Sequence, residues 1–236
     1  MVEGMQERLI WLLEDKLNII KNKTILIIGL GGVGSYALET LARTYFNKLI
    51  IVDNDKIDIS NLNRQLMTNI DNVGLYKTDV WFDRIKKINP ECDVIKITEF
   101  ITKDNLNLLF KYKVDYVIDA CDTLEAKKEI IKYCLKNKIK FISSMGMANR
   151  IDASKIKISY LDKTSYDPLA KKLRNLIKKE NIKGKIPVVY SEEQPLKSNK
   201  LGSISYVVGT AGLLCTNYVI NDILKEVNDE RVNKNN

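Results

Sequence analysis

The chain of 236 residues contains no histidine. That absence excludes every mechanism built on an imidazole base, Ser-His-Asp and Cys-His arrangements included, and leaves Lys, Arg, carboxylates, hydroxyls, thiols or a bound metal for any chemistry. Cysteine is scarce as well: Cys92, Cys121, Cys134 and Cys215 are far apart and lie within apolar segments. Neither a paired Cys-x-x-Cys zinc site nor a disulfide framework is indicated, and a reducing cytoplasmic interior is expected. Met1 to Gln6 is polar with no basic segment ahead of an apolar core, so no signal peptide is expected. Repeats and low-complexity tracts are missing, and only Asn228 to Asn236 reads as a frayed end.

What is present is a chain with 45% hydrophobic and 29% charged residues, enough for one sizeable α/β domain or one domain with an appended subdomain. Lys and Arg outnumber Asp and Glu by 38 to 30, a formal charge of +8, with the excess concentrated at Lys171-Lys172-Leu173-Arg174 and Lys178-Lys179. Such stretches suit a polyanionic partner, nucleic acid first, or are solvated helix faces. An amphipathic helix is read over Leu9 to Ile20. Strands at Thr24 to Ile28, Leu49 to Val52, Val94 to Thr98, Tyr116 to Asp119 and Lys140 to Ser143 alternate with helical patterns at Gly32 to Arg43, Leu75 to Ile88, Asn105 to Phe110 and Thr123 to Leu135. This alternation specifies a mostly parallel sheet with helices on both faces and a ligand at the carboxyl ends of the strands. After Gly146 the rhythm breaks. Ile156 to Leu161 and Val188 to Tyr190 read as strands flanking a basic helix from Asp167 to Glu180, and a final helix runs from about Ser203 to Leu224. Ile204 to Asn221 is uncharged for nearly the roughly 20 residues of a membrane span. Its Ser, Gly, Thr and Asn content favours a packed core or dimer helix instead.

Gly29, Gly31, Gly32 and Gly34 sit between a strand and a helix, the position of a phosphate-binding glycine turn in a Rossmann-like fold. In this reading Gly29 permits the turn, Gly31 and Gly32 admit the ligand to the backbone, and Gly34 allows close helix packing. Asp53 ends the next strand, about 20 residues on, where an acidic residue accepts hydrogen bonds from ribose hydroxyls. That pair alone would fit a nicotinamide or flavin enzyme. The long polar connection from Asp53 to Gly74 then carries Asp55, Ser60-Asn61-Leu62-Asn63-Arg64-Gln65 and, beyond it, Lys77. Arg64 and Lys77 have no evident use in a reductase, but they can address the phosphates of a triphosphate and the pyrophosphate as it leaves. Asp122, in Asp119-Ala120-Cys121-Asp122-Thr123, follows the fourth strand and suits a Mg²⁺ ion shared with phosphates. A surface ion pair would explain each of these three residues singly; their joint placement points to one crevice.

The glycine turn, Asp53, Ser60 to Gln65, Gly74 to Lys77, Ile88-Asn89-Pro90 and the Asp-x-x-Asp-Thr segment together resemble the ThiF/MoeB/HesA, or ubiquitin-activating-like, superfamily over roughly residues 7 to 150. The resemblance implies an ATP-dependent adenylating enzyme. Asp53 would bind ribose, Ser60, Asn61, Arg64 and Lys77 the phosphates, and Asp122 the Mg²⁺, with Asp55 and Thr123 also in the nucleotide site. It further implies a homodimer in which an N-terminal arginine, best matched by Arg8, reaches the other subunit's ATP. The corresponding division is an N-terminal helical arm (1–22), an ATP-binding adenylation domain (23–150) and a smaller C-terminal α+β extension (151–236) packed on the same domain.

Farther on, Ser143 to Gly146, Lys163-Thr164, Asp167 to Ala170 with Arg174, Val189 to Glu193 with Pro195, and Gly202-Ser203 resemble the TcdA, or CsdL, branch, which dehydrates threonylcarbamoyladenosine in tRNA. That implies a tRNA substrate whose threonylcarbamoyl carboxylate is adenylated and then attacked within its own side chain, so that a ring closes and AMP leaves. The segment from Leu169 to Lys179 would contact tRNA phosphates, and a sulfurtransferase or cysteine desulfurase system is a further candidate partner. Adenylation of the C-terminal glycine of a ThiS- or MoaD-like sulfur carrier is the alternative enzyme reading. A nicotinamide oxidoreductase and a non-catalytic nucleotide-binding adaptor are the readings from other classes.

Overall fold

The structure, a computed structural model, describes residues 4–234, with side chains through residue 226. Strands β1 (Thr24–Ile28), β2 (Lys48–Val52), β3 (Asp93–Ile97), β4 (Tyr116–Asp119), β5 (Lys140–Ser144), β6 (Ile156–Tyr160) and β7 (Pro187–Ser191) form one sheet in the order β3-β2-β1-β4-β5-β7-β6. All neighbours are parallel except β6 and β7. Apolar runs such as Ile25 to Ile28 and Leu49 to Val52 are buried on both faces, as a parallel sheet covered by helices requires. The chain builds outward from β1 to β3, then returns to β4. The strand order therefore reverses between β1 and β4, and a crevice opens beyond their carboxyl ends.

Two apolar cores flank the sheet. One holds α3 (Gly32–Arg43), α4 (Lys77–Ile88) and α8 (Ser205–Lys234); the other holds α5 (Asn107–Phe110), α6 (Leu124–Asn137) and α7 (Pro168–Lys179). The single helix expected over Leu9 to Ile20 is two, α1 (Glu7–Leu13) and α2 (Lys16–Lys21), broken at Glu14, whose φ is 50°. α2 docks through Leu17 and Ile20; α1 has no buried residue, meets the core through half-buried Leu13, and leaves Ile10, Trp11 and Leu12 exposed. The fraying expected from Asn228 is likewise corrected as far as Lys234, where α8 ends; Asn235 and Asn236 lie outside the described residues, as do Met1 to Glu3.

Helix α8 explains its own composition. The stretch Ser205–Glu226 is apolar and long enough to cross a membrane, with mean hydropathy 1.3, yet half of it is buried in the protein. Its small residues are where it approaches α3. A Cβ on Gly212 would lie 2.3 Å from the Val33 carbonyl oxygen, one on Gly209 would lie 3.0 Å from the Tyr36 ring, and Thr216 Oγ1 donates to the Ala37 carbonyl at 3.1 Å. The two backbones are closer than any side chain between them would allow. Gly212→Ala is therefore expected to lower stability by about 1–3 kcal/mol, the usual range for overpacking, read from the denaturant midpoint. An unchanged midpoint would show that α8 can ride up on α3 without loss.

Candidate active site

The turn between β1 and α3 is closed by backbone. Gly29 has φ 87°, donates its N–H to the Val52 carbonyl at 2.8 Å, and carries no side chain because a Cβ would lie 2.7 Å from the Ala120 carbonyl oxygen. A Cβ on Gly34 would fall 1.8 Å from the Gly29 carbonyl oxygen, so α3 can start this close to β1 only with glycine there. At Gly32 the constraint differs from the one expected. Its missing Cβ makes room for Val208 of α8, 2.9 Å away, rather than for a ligand. Gly31 faces open space, with only Gln65 Nε2 at 3.8 Å. The first turn of α3 thus presents unpaired N–H groups and the positive end of the helix dipole to the crevice.

Asp53, the residue after β2, points its carboxylate back at this turn. Its Oδ2 accepts from Leu30 N–H at 2.7 Å and its Oδ1 from Asp55 N–H at 2.8 Å. The segment that follows folds back on itself: Ile57 N–H donates to the Leu75 carbonyl, and Gly74 N–H to that of Ile57. Lys77, the first residue of α4, is thereby returned to the acidic pair. Its buried ammonium lies 2.6 Å from Asp55 Oδ2 and 3.5 Å from Asp53 Oδ1. Lys77, expected to face phosphates, is held by carboxylates in this arrangement. Burial pushes the Asp53 carboxyl above the ordinary carboxylate range, with the Lys77 charge and the two N–H donors opposing.

The Ser60 to Gln65 string is shaped by Asp58, whose side chain accepts from Ser60 N–H while Asn61 Oδ1 accepts from Asp58 N–H. Asn61 is buried in this cap. Arg64 donates to the Ser60 carbonyl at 2.8 Å and to Asn63 Oδ1 at 2.9 Å, and among the described residues it makes no ion pair. The string is tied to α3 through Leu66 N–H on Ser35 Oγ, and to the approach of α8 through Asn63 Nδ2 on the Ser203 carbonyl.

Beyond β4, Asp122 is exposed and, among the described residues, without a hydrogen-bond or ion-pair partner, and Thr123 caps α6 without a side-chain bond. A cleft of about 280 Å³ runs from Thr123 between residues 100–103 and α6. No group of three or more Cys, Asp or Glu side chains among the described residues is placed to hold a metal. A lone free carboxylate at the crevice fits magnesium held mainly by phosphate oxygens and does not fit a closed protein cage. Beneath Asp122 lies a feature not anticipated: Asp119 and Lys127, both fully buried, paired at 2.9 Å with Ser143 Oγ bonded to each. Its one sequence signal is a lysine on the apolar face of α6 shared with Ile130, Ile131 and Cys134.

The family model described as "ThiF family" matches residues 6–236. The chain belongs to the ThiF family. It is 39% identical to the tRNA threonylcarbamoyladenosine dehydratase of Bacillus subtilis (strain 168) over 238 residues, 93% of this chain and 94% of that protein. The enzyme of that name from Escherichia coli (strain K12) is 38% identical over 205 residues, 84% of this chain and 76% of that one. Crystal structures of E. coli TcdA in complex with AMP and with ATP match with TM-score 0.89 at 35% identity, over 96% of this chain and 94% of theirs.

Within this ThiF-family chain, the glycine turn, Asp53, Asp55, Arg64 and Lys77 gather at the carboxyl end of the sheet, and Asp122 and Thr123 stand across β1 from them. Arg8 does not join them. It lines a separate depression of about 330 Å³ with Arg43, Tyr45 and Ile88, and Arg43 ends the helix that Gly32 begins, roughly 18 Å away at 1.5 Å per residue. Arg174 leaves the basic face of α7 to donate to the Thr164 side chain and carbonyl.

The raised Asp53 carboxyl has a consequence for stability. A pKa above that of the unfolded chain means that folding favours the protonated form. This contribution is full below the unfolded-state pKa and is lost as pH rises through the folded one. Asp53→Asn keeps an acceptor for Leu30 N–H and gives up only the exposed bond from Asp55 N–H, so it is expected to stabilise the nucleotide-free protein at pH 7, with no gain below the carboxylate range. Denaturation curves at both pH values check this. A variant less stable at pH 7 would mean that the Lys77 ion pair outweighs the burial of Asp53.

Proposed function

We propose that this chain is an ATP-dependent dehydratase that cyclises N6-threonylcarbamoyladenosine in tRNA through carboxylate adenylation. The observation that carries the reading is a helix N-terminus, a ribose-ready carboxylate, an unpaired arginine and a free carboxylate converging on one crevice, in a chain that matches dehydratases of this name over nearly its full length. The substrate carboxylate attacks the α-phosphate, forming a mixed anhydride and releasing pyrophosphate. A nucleophile of the same side chain then attacks the activated carbonyl, closing a ring and releasing AMP with the former carboxylate oxygen. Arg64 offsets charge on the departing pyrophosphate, and Lys77 does so by exchanging Asp55 for a phosphate oxygen. Asp122 together with phosphate oxygens would hold Mg²⁺, which supplies neutralisation of the triphosphate.

No protein nucleophile is needed, because ring closure is intramolecular and gains from proximity. The cysteines agree. Burial pushes Cys92, Cys134 and Cys215 up to about 12, and burial followed by Asp119 raises Cys121 well above the ordinary thiol range.

The exposed Lys171, Lys172, Lys178 and Lys179 of α7 contact tRNA phosphates in this reading. The helix starts against Gly146, just past β5, and its C-terminal Glu180 meets Lys128 and Lys132 of α6, so it skirts the crevice. The exposed apolar face of α1 supports a homodimer, with Arg8 entering the partner's site. The packing of α8 favours a cytoplasmic protein without a membrane span. A sulfurtransferase or cysteine desulfurase partner has no assigned surface.

The decisive experiment measures AMP and pyrophosphate release from ATP and Mg²⁺ with threonylcarbamoylated tRNA, with the same tRNA lacking that group, and with a small ubiquitin-like sulfur carrier. Turnover with the modified tRNA alone, and a nucleoside lighter by one water, is expected. Turnover with the carrier would favour the adenylyltransferase reading, to which a 39% match over half of the chain to the probable molybdopterin-synthase adenylyltransferase of Gracilaria tenuistipitata var. liui also speaks. Arg64→Ala and Asp122→Ala are each expected to lower turnover by roughly 10²–10³. Glutamine at the four α7 lysines should weaken tRNA binding and flatten its salt dependence, while ATP binding stays unchanged.

A further inference from the structure

Lys127 is completely buried one turn into α6, and its ammonium makes three bonds to three acceptors. They are Asp119 Oδ2 at 2.9 Å, Ser143 Oγ at 3.1 Å and the Asp119 carbonyl at 3.3 Å. Ser143 Oγ donates to the same Asp119 oxygen at 2.6 Å. One cation thus locks the ends of β4 and β5 to the start of α6. The other Asp119 oxygen faces the opposite way and accepts from Cys121 N–H at 3.3 Å and from its thiol at 3.0 Å. Those bonds anchor the turn 120–123. Among the described residues Asp122 itself has no partner, and Thr123 makes no side-chain cap. The placement of Asp122 therefore depends on Asp119, and the placement of Asp119 depends on Lys127.

Stability alone does not account for such a pair. An ion pair taken wholly out of water seldom outperforms apolar groups of similar volume, because its mutual attraction is largely offset by lost solvation. What the ammonium supplies, and a leucine would not, is direction: it holds the carboxylate so that one oxygen stays on Lys127 and Ser143 and the other faces the 120–123 turn. We propose that Lys127 is a positioning residue for adenylation, acting through Asp119 to set the Asp122 carboxylate where it meets the metal-bound triphosphate. The inference rests on the role proposed for Asp122.

The test is a double-mutant cycle between Lys127→Met, which keeps the aliphatic stem, and Asp122→Ala. ATP affinity is measured by calorimetry with magnesium and with EDTA, and turnover is measured alongside. Lys127→Met is expected to weaken ATP binding about tenfold in magnesium, to leave it unchanged in EDTA, and to add nothing further in the Asp122→Ala background, as coupled residues do. Weakening that persists in EDTA, or that adds to the Asp122→Ala loss, would reduce Lys127 to a structural residue and overturn the proposal. If Asp122→Ala leaves magnesium-dependent binding intact, the role of Asp122 falls, and the inference with it. If Lys127→Met does not fold, because it leaves Asp119 buried and unpaired, Asp119→Asn/Lys127→Met removes both charges and enters the same cycle. The same magnesium-specific, non-additive loss is expected, and wild-type binding would overturn the proposal.

Discussion

The contact on which the rest of the structure depends is backbone against backbone at the carboxyl ends of β1 and β4. Gly34 lies so close to the Gly29 carbonyl, and Gly29 to Ala120, that no side chain fits at either place. That contact sets the start of α3 directly over the end of β1, with its free N–H groups turned to the crevice. It also commits what surrounds it. Gly32 must admit Val208, so α8 has to lie across the same turn; Ser35 then receives Leu66 N–H, which draws in the segment bearing Arg64. Ala120, pressed against Gly29, begins the turn that carries Asp122. These steric exclusions leave the first-turn donors of α3 and the open side of Gly31 facing the crevice, and the charged side chains are arranged around them.

Those charges are handled in three different ways, and the difference matters for the chemistry. Lys77 is buried and neutralised by Asp53 and Asp55, so it enters a reaction only by exchanging a carboxylate for a phosphate oxygen. Arg64 is half-buried and held by neutral acceptors alone, which leaves its charge available to an anion. Lys127 is sealed away with Asp119, and both of them and Ser143 are bonded to one another. Its charge is spent on orientation. The charges left without an opposite partner among the described residues are therefore a cation at Arg64 and a carboxylate at Asp122, a polarity that suits the metal-bound triphosphate of the proposed reaction.

Much of this was legible in the sequence where local pattern and tertiary structure agree. The spans of β1, α3 and β4 read from apolar pattern and flanking glycine or aspartate coincide with those in the structure, since most of their residues are buried in the core and glycine or aspartate marks where strand gives way to turn. The Ser, Gly and Thr residues of α8 likewise foretold close packing. The break at Glu14 was not legible, because apolar spacing continues through a residue whose φ alone interrupts the helix. Arg174 was read with the basic face of α7 but turns inward to Thr164, and Lys127, on the apolar face of α6, drew no reading although it pairs with Asp119. Sequence spacing assigns a cation to a helix face; whether that face meets water or a buried carboxylate is decided by elements far along the chain.

The same distinction bears on the absence of a nucleophile. The acyl-adenylate of the proposed reaction would be reactive enough to acylate any accessible thiolate. In this chain three thiols are sealed in the core, and the fourth sits against Asp119, where its anion would face a carboxylate at about hydrogen-bond distance. The arrangement that positions Asp122 therefore also holds Cys121 as a thiol, a weak nucleophile. In the proposed reaction one buried aspartate would both orient the turn and suppress covalent capture of the intermediate, leaving the activated carbonyl to the group tethered beside it.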